Sequence, residues 1–95
     1  MTKQDIIDQM VKKTDLTTRE SAQAVEAMIG ILEEAFIKGE SVFLRGFATF
    51  RQVVRKEKKV QNIARGYEMT MPAYRTVKLI IPKDLKNKMN DGFEA

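Results

Sequence analysis

The chain has 95 residues, with 17 basic and 13 acidic groups, a net charge of +4 and 43% apolar residues. That length sets a single domain, 1–95, as the expectation, and a domain this small buries a limited share of its surface. It contains no cysteine and no histidine. That excludes a disulfide framework, a thiol nucleophile and the commonest general base and metal ligand.

Residues 2–13 read as a first helix. Thr2 is placed to cap it, and Asp5 falls in the first turn, where a carboxylate is favoured. Ile6, Ile7, Met10 and Val11 form an apolar stripe at helical spacing, and Lys12 and Lys13 close the cation-favouring end. A second helix is predicted to follow Thr17. Glu20 stands three residues on, the spacing of a capping box. Ala22, Val25, Met28, Ile29, Leu32 and Phe36 recur every three or four residues up to a Lys38-Gly39 stop. Ala24, Ala27, Ile31 and Ala35 widen this apolar face, which on so short a chain predicts cover from a partner as well as from the chain itself.

The period then changes to two. Residues 40–44 read as a short strand, Arg45-Gly46 as a turn, and 48–55 as a second strand. Phe47 and Phe50 are expected to pack in the core. From about residue 55 to 72 the chain reads as a two-stranded ribbon, turning within 61–66 and returning over 67–73. Pro72 lies near its base, where proline implies an edge or a bulge. A third sheet strand spans 75–81, with Val77, Leu79 and Ile81 on one face. Pro82 then opens a short helix over 82–90 that carries Leu85 and Met89. The tail after it is expected to fray or to tuck Phe93 back.

Charge is divided unevenly along this order. Residues 1–50 hold 6 basic and 8 acidic groups, whereas residues 51–95 hold 11 basic and 5 acidic groups. The ribbon concentrates Arg55, Lys56, Lys58, Lys59 and Arg65, the neighbouring strand adds Arg75 and Lys78, and the last helix adds Lys83 and Lys86. One reading is a solvated hairpin whose cations protect strand edges. The other is a polyanion-binding arm. Near the turn, Ile63 has no evident internal partner. It either closes the hairpin in a small cluster or serves as an apolar wedge of the kind minor-groove proteins insert between base steps. Gln61, Asn62 and Arg65 flank it, and Asn62 and Arg65 carry groups suited to the groove floor or its phosphates.

No catalytic constellation emerges. The carboxylates are scattered over helix surfaces, Ser21 and Ser41 lack a glycine elbow or a base, and no phosphate loop is present. The expectation is a protein that is not an enzyme and takes no cofactor and no metal. No run approaches the roughly 18 apolar residues of a membrane helix, and the N-terminus lacks an apolar signal core. The expected setting is therefore cytoplasmic, with no membrane contact.

The segment Arg45-Gly46-Phe47-Ala48-Thr49-Phe50 resembles the Gly-Phe-Gly-Thr-Phe signature of the bacterial HU/IHF histone-like DNA-binding proteins. The likeness runs from the first helix to Met89. Arg55 and Lys58 fall where members carry arm-base arginines, and Met71-Pro72-Ala73 resembles their Ile-Pro-Ala on the returning arm. Lys83, Leu85 and Lys86 match the closing Lys-x-Leu-Lys. Gln61-Asn62-Ile63 stands in place of Arg-Asn-Pro, and this tip with Pro72-Ala73-Tyr74 resembles HU-like members of the Bacteroides group.

The resemblance implies an α+β fold built as an intertwined dimer. Each chain would give a helical dimerisation part (2–38), a three-stranded β-sheet saddle within 40–81 and a long β-ribbon arm. It further implies a nucleoid-associated, largely non-specific architectural protein that binds and bends double-stranded DNA through the minor groove and contributes to DNA condensation. Its DNA-binding residues would be Arg55, Lys56, Lys58, Lys59, Gln61, Asn62, Ile63, Arg65, Arg75, Lys78, Lys83 and Lys86. The partner chain would be a second copy or a paralogue, and RNA is a further polymer that a basic arm accepts. Two alternatives stay open: a site-preferring, integration-host-factor-like bender, and a β-arm module that binds protein. The departures at Ile63, Gln61, Lys58, Ala48 and Leu79 imply weaker tip electrostatics or a different bend.

Overall fold

The structure, a computed structural model, describes residues 1–62 and 66–94. The chain divides into two compact units, Met1–Ile37 and Lys38–Ala95.

The first unit is helical. Helix α1 spans Lys3–Lys13, and Thr2 caps it reciprocally: the Asp5 amide donates to Thr2 Oγ1 and the Thr2 amide donates to Asp5 Oδ2. Helix α2 spans Thr18–Lys38, and its start carries the same device. The Glu20 amide donates to Thr17 Oγ1 at 3.1 Å, and the Thr17 amide donates to a Glu20 carboxylate oxygen at 3.0 Å. Each box satisfies two amides that a helix start otherwise leaves without partners. Lys3 of α1 pairs with Glu26 of α2 across the unit.

Little of the apolar stripe is covered. Ile7 and Val25 are buried, beside a fully buried Ser21, while Ile6 is 42% exposed, Met28 50% and Ile31 67%. Ile6, Met10, Val25, Met28 and Leu32 line an open apolar hollow of about 510 Å³. A Cβ built at Gly30 meets nothing within 4 Å, so no close helix approach within the chain requires a glycine there.

The second unit holds five strands and a helix. Strands β1 (Val42–Leu44), β2 (Ala48–Arg55) and β5 (Tyr74–Ile80) form an antiparallel sheet in the order β1-β2-β5. Strands β3 (Lys58–Asn62) and β4 (Tyr67–Met71) form a separate two-stranded ribbon. Helix α3 spans Lys83–Asn90. Strand β1 is shorter than the alternation in 40–44 suggests, because the Ser41 hydroxyl takes the Gln52 amide at 3.0 Å in place of a backbone partner. Gly46, at φ +81°, makes the turn into β2, and the Phe47 amide donates to the Leu44 carbonyl.

Two expectations are corrected here. Phe47 is 56% exposed and does not pack in a core within this chain; the buried residue of the signature is its neighbour Ala48. The ladder does not run unbroken from the sheet into the ribbon. Lys56-Glu57 and Pro72-Ala73 interrupt it on its two sides, opposite each other, so the ribbon is hydrogen-bonded separately from the sheet. Pro72 lacks the amide a ladder needs, which accounts for the break on the returning side. The ribbon is also paired further outward than the sequence indicates. Gln61 pairs with Glu68 and Asn62 with Tyr67, positions that the sequence pattern assigns to the turn and its exit.

Candidate nucleic-acid interface

Strand register decides which cations share a face. Residues directly opposite in an antiparallel pair point to the same side, and successive residues alternate. Ala48, Phe50, Gln52 and Val54 of β2 therefore lie on one face with Val42, Leu44, Arg75, Val77 and Leu79. Thr49, Arg51, Val53 and Arg55 lie on the other with Phe43, Tyr74, Thr76, Lys78 and Ile80. The first face is the apolar one and contains the buried Ala48. The second carries Arg51 directly opposite Lys78, and Arg55 at the root of the ribbon opposite Tyr74. Arg51, Arg55 and Lys78 are all exposed.

A like-charged pair set opposite across a sheet destabilises the strands that carry it. Its presence on an open face is physically sensible when an anion is the intended neighbour. Sequence reasoning misses Arg51, although the signal is there: it stands four residues before Arg55, on the same parity of a two-residue period.

The ribbon continues the charge. Arg55, Lys56 and Lys58 surround a hollow of about 370 Å³ at its root, closed by Met71 and Tyr74. Along the ribbon, Lys58 opposes Met71 and Val60 opposes Met69, while Lys59 opposes Thr70 on the reverse side. Val60, Met69 and Met71 remain 37%, 51% and 48% exposed. One side of the ribbon thus offers apolar surface beside Lys58, and the other offers Lys59. Gln61 and Asn62 lie on the backbone of β3. Ile63 and Arg65, the remaining tip candidates, lie outside the described residues.

Lys83 and Lys86 are exposed on α3. Pro82 is the N-cap and makes no side-chain cap bond. Lys83 therefore sits at a helix end that disfavours a cation, although Asp84 in the same turn offsets this. Arg75 is placed apart from the others. It is on the apolar sheet face, and its Nη1 would stand 2.8 Å from a Cβ at Gly39, a residue that itself adopts φ +83° after α2. The structure thus brings Lys78, Arg55, Lys56 and Lys58 together with Arg51 and sets Arg75 on the opposite face.

Among the described residues no cluster of acidic side chains has the arrangement of a metal site, and no helix is long and apolar enough to cross a membrane.

The chain is similar to known proteins along most of its length. Residues 1–90 match the family of bacterial DNA-binding proteins. The chain is similar to DNA-binding protein HU of Staphylococcus aureus, 33% identical over 87 residues that cover 92% of this chain and 97% of that one. It is also similar to integration host factor subunit alpha of Anaeromyxobacter dehalogenans, 30% identical over 92 residues, covering 97% and 81% of the two chains. Among solved structures it is similar to HU from Anabaena, cocrystallised with DNA, at a TM-score of 0.84 and 26% identity over 94% of this chain and 97% of that one.

Proposed function

This chain belongs to the bacterial DNA-binding protein family, and we propose on that premise that it is a non-catalytic, architectural protein of the nucleoid. It binds double-stranded DNA with little sequence preference, bends it through the minor groove and helps to condense the chromosome. The observation that carries this reading is the register of the sheet. It collects Arg51, Lys78 and Arg55 on one exposed face that leads into the basic root of the ribbon.

On this reading Arg51, Arg55, Lys56, Lys58, Lys59 and Lys78 meet phosphates, with Lys83 and Lys86 meeting the duplex where it continues past the sheet. Gln61, Asn62 and Arg65 reach into the groove, and Ile63 is the wedge. Phosphate contacts of this kind position the protein without reading sequence, and the minor groove offers only a degenerate code.

The acting species is a dimer of two copies of this chain. In support, the buried apolar residues among those described are only Ile7, Val25 and Ala48, too few for a stable core. The open hollow lined by Ile6, Met10, Met28 and Leu32 gives a second copy an apolar surface to cover. The family match spans 1–90, so the helical and sheet units are read as parts of one domain.

The test is a salt titration with duplexes of unrelated sequence. Log affinity should fall by about 0.9 per phosphate contact for each log unit of salt, with near-equal affinities across sequences. Strong preference for one duplex would favour a site-reading bender. Absence of binding at low salt would reject the DNA reading.

A further inference from the structure

The basic sheet face also carries rings that gripping a duplex with the arm does not use. Its register forms four successive cross-strand rows: Phe43–Thr49–Ile80, then Arg51–Lys78, then Val53–Thr76, then Arg55–Tyr74. The first and last rows hold an aromatic side chain each, and both are open, Phe43 at 69% exposure and Tyr74 at 51%. Thr49 and Arg55 are six steps apart along β2, so the two rings stand about 20 Å apart at roughly 3.4 Å per strand residue. The interval holds the cationic Arg51–Lys78 row and the uncharged Val53–Thr76 row.

Each ring also borders a hollow. Phe43 lies at the edge of one of about 300 Å³ around the β1–β2 turn, lined also by Arg45, Thr49, Ile80 and Pro82 and, from the other sheet face, by Leu44 and Ala48. Tyr74 lies with Arg55, Lys56, Lys58 and Met71 around the one at the ribbon root. One exposed ring on a surface needs no explanation. Two on the same face, each bordering an open hollow, the one at Tyr74 with a basic rim, and with an opposed Arg–Lys pair between them, form a pattern with a chemical meaning.

We propose that this sheet face binds unpaired nucleotides: bases stack on Phe43 and Tyr74 while the intervening phosphates lie along Arg51 and Lys78. The physical basis is that every base has an aromatic face available for stacking once it leaves the helix, and a cationic groove tracks the backbone between stacked bases. A paired duplex keeps those faces inside its own stack, so it cannot use the rings. The sheet thereby adds an activity that goes beyond duplex bending, with recognition of single-stranded segments located away from the arm tip. The excess of cations on this face, with no carboxylate in any of the four rows, selects a polyanion over a neutral or basic protein surface.

The experiment compares the full chain with its Phe43→Ala and Tyr74→Ala variants on short oligothymidylate, on its RNA counterpart and on a duplex. Each truncation should weaken single-strand binding about tenfold, within the range for removing one base–aromatic stack. Duplex affinity should hold in the Phe43→Ala preparation, because Phe43 lies outside the basic ribbon root. DNA and RNA strands should respond alike, because neither ring reads the 2′-hydroxyl. The chain has no tryptophan, so Phe43→Trp places a single indole at the site, and its emission should be quenched more by the single strand than by the duplex. Unchanged single-strand affinity in both alanine variants overturns the inference. So does a parallel loss on duplex and single strand in Phe43→Ala, or an indole that does not respond to a bound single strand. Because duplex binding is read in every protein, failure of the duplex reading shows separately, as a wild-type chain that binds no duplex.

Discussion

Arg51→Gln should make the free protein more stable and its DNA complex weaker. Arg51 and Lys78 are directly opposite on an exposed face, which puts their Cβ atoms about 4.5–5.5 Å apart. The long side chains splay, so a charge separation of about 7 Å is a fair working distance. At that distance two like charges repel by about 0.6 kcal/mol in a water-like dielectric, and by a few kcal/mol only if the site were much drier. Both groups are exposed, so the lower figure applies. Removing one charge should then raise the melting temperature by about 2–4 °C for a domain of this size. The gain should fade in concentrated salt, where the screening length falls to about 3 Å.

Binding should move the other way. Removing one phosphate-binding cation per protomer lowers the slope of log affinity against log salt by about 0.9 per protomer. Thermal melts at low and high salt and a salt titration on one duplex measure both sides. Arg75→Gln is the matched control, because Arg75 stands on the opposite sheet face. It should leave the salt slope where it was. An Arg51→Gln protein with an unchanged slope, or one that melts lower than wild type at low salt, would refute the assignment of this face to phosphate.

Three further outcomes are expected. Met28→Lys puts a charge into the apolar hollow beside Ile6, Met10 and Leu32; sedimentation should show the dimer dissociating at concentrations where wild type stays paired, by about 2 kcal/mol or more. Ile63→Ala should reduce DNA bending, read by energy transfer between the duplex ends, more than it reduces affinity, and an unchanged bend removes Ile63 as a wedge. The Thr17 amide and hydroxyl hold the Glu20 carboxyl below the usual carboxylate range. Its stabilising contribution is therefore complete above the unfolded pKa of about 4.3 and is lost as pH falls through the lower folded value. Glu20→Gln should remove that part of the acid dependence in melts followed by circular dichroism.

The helices are legible in the sequence because their signals are local. Thr2 with Asp5 and Thr17 with Glu20 are spaced as capping boxes, and both boxes form. The limits of β2 are legible for the same reason, set between a glycine turn and a basic run. What the sequence hides is what pairing decides. The face on which Arg75 falls depends on β5 meeting β2 with Val54 opposite Arg75, and a slip of one residue would reverse it. The parity that Arg51 shares with Arg55 is legible, but its pairing with Lys78, 27 positions away along the chain, is not. Phe47 misleads because an aromatic beside strand formers reads as core, yet the chain by itself leaves it open.

These openings are connected. Phe47 exposed, Met28 and Ile31 exposed, and Ile7, Val25 and Ala48 as the buried apolar residues among those described indicate a chain whose own core is incomplete. Such a chain gains stability chiefly by burying those surfaces against a second copy, at roughly 25 cal/mol per Å² of apolar area. A dimer of such chains carries the basic sheet face twice. Two modest sets of phosphate contacts joined in one dimer act on DNA with the effective concentration of a tethered pair. A bend then follows whenever the two faces are not collinear with a straight duplex, because the deformation energy is offset by engaging the second set of contacts. The same incompleteness that makes the lone chain marginal is therefore what lets weak, sequence-blind contacts add up to an architectural function.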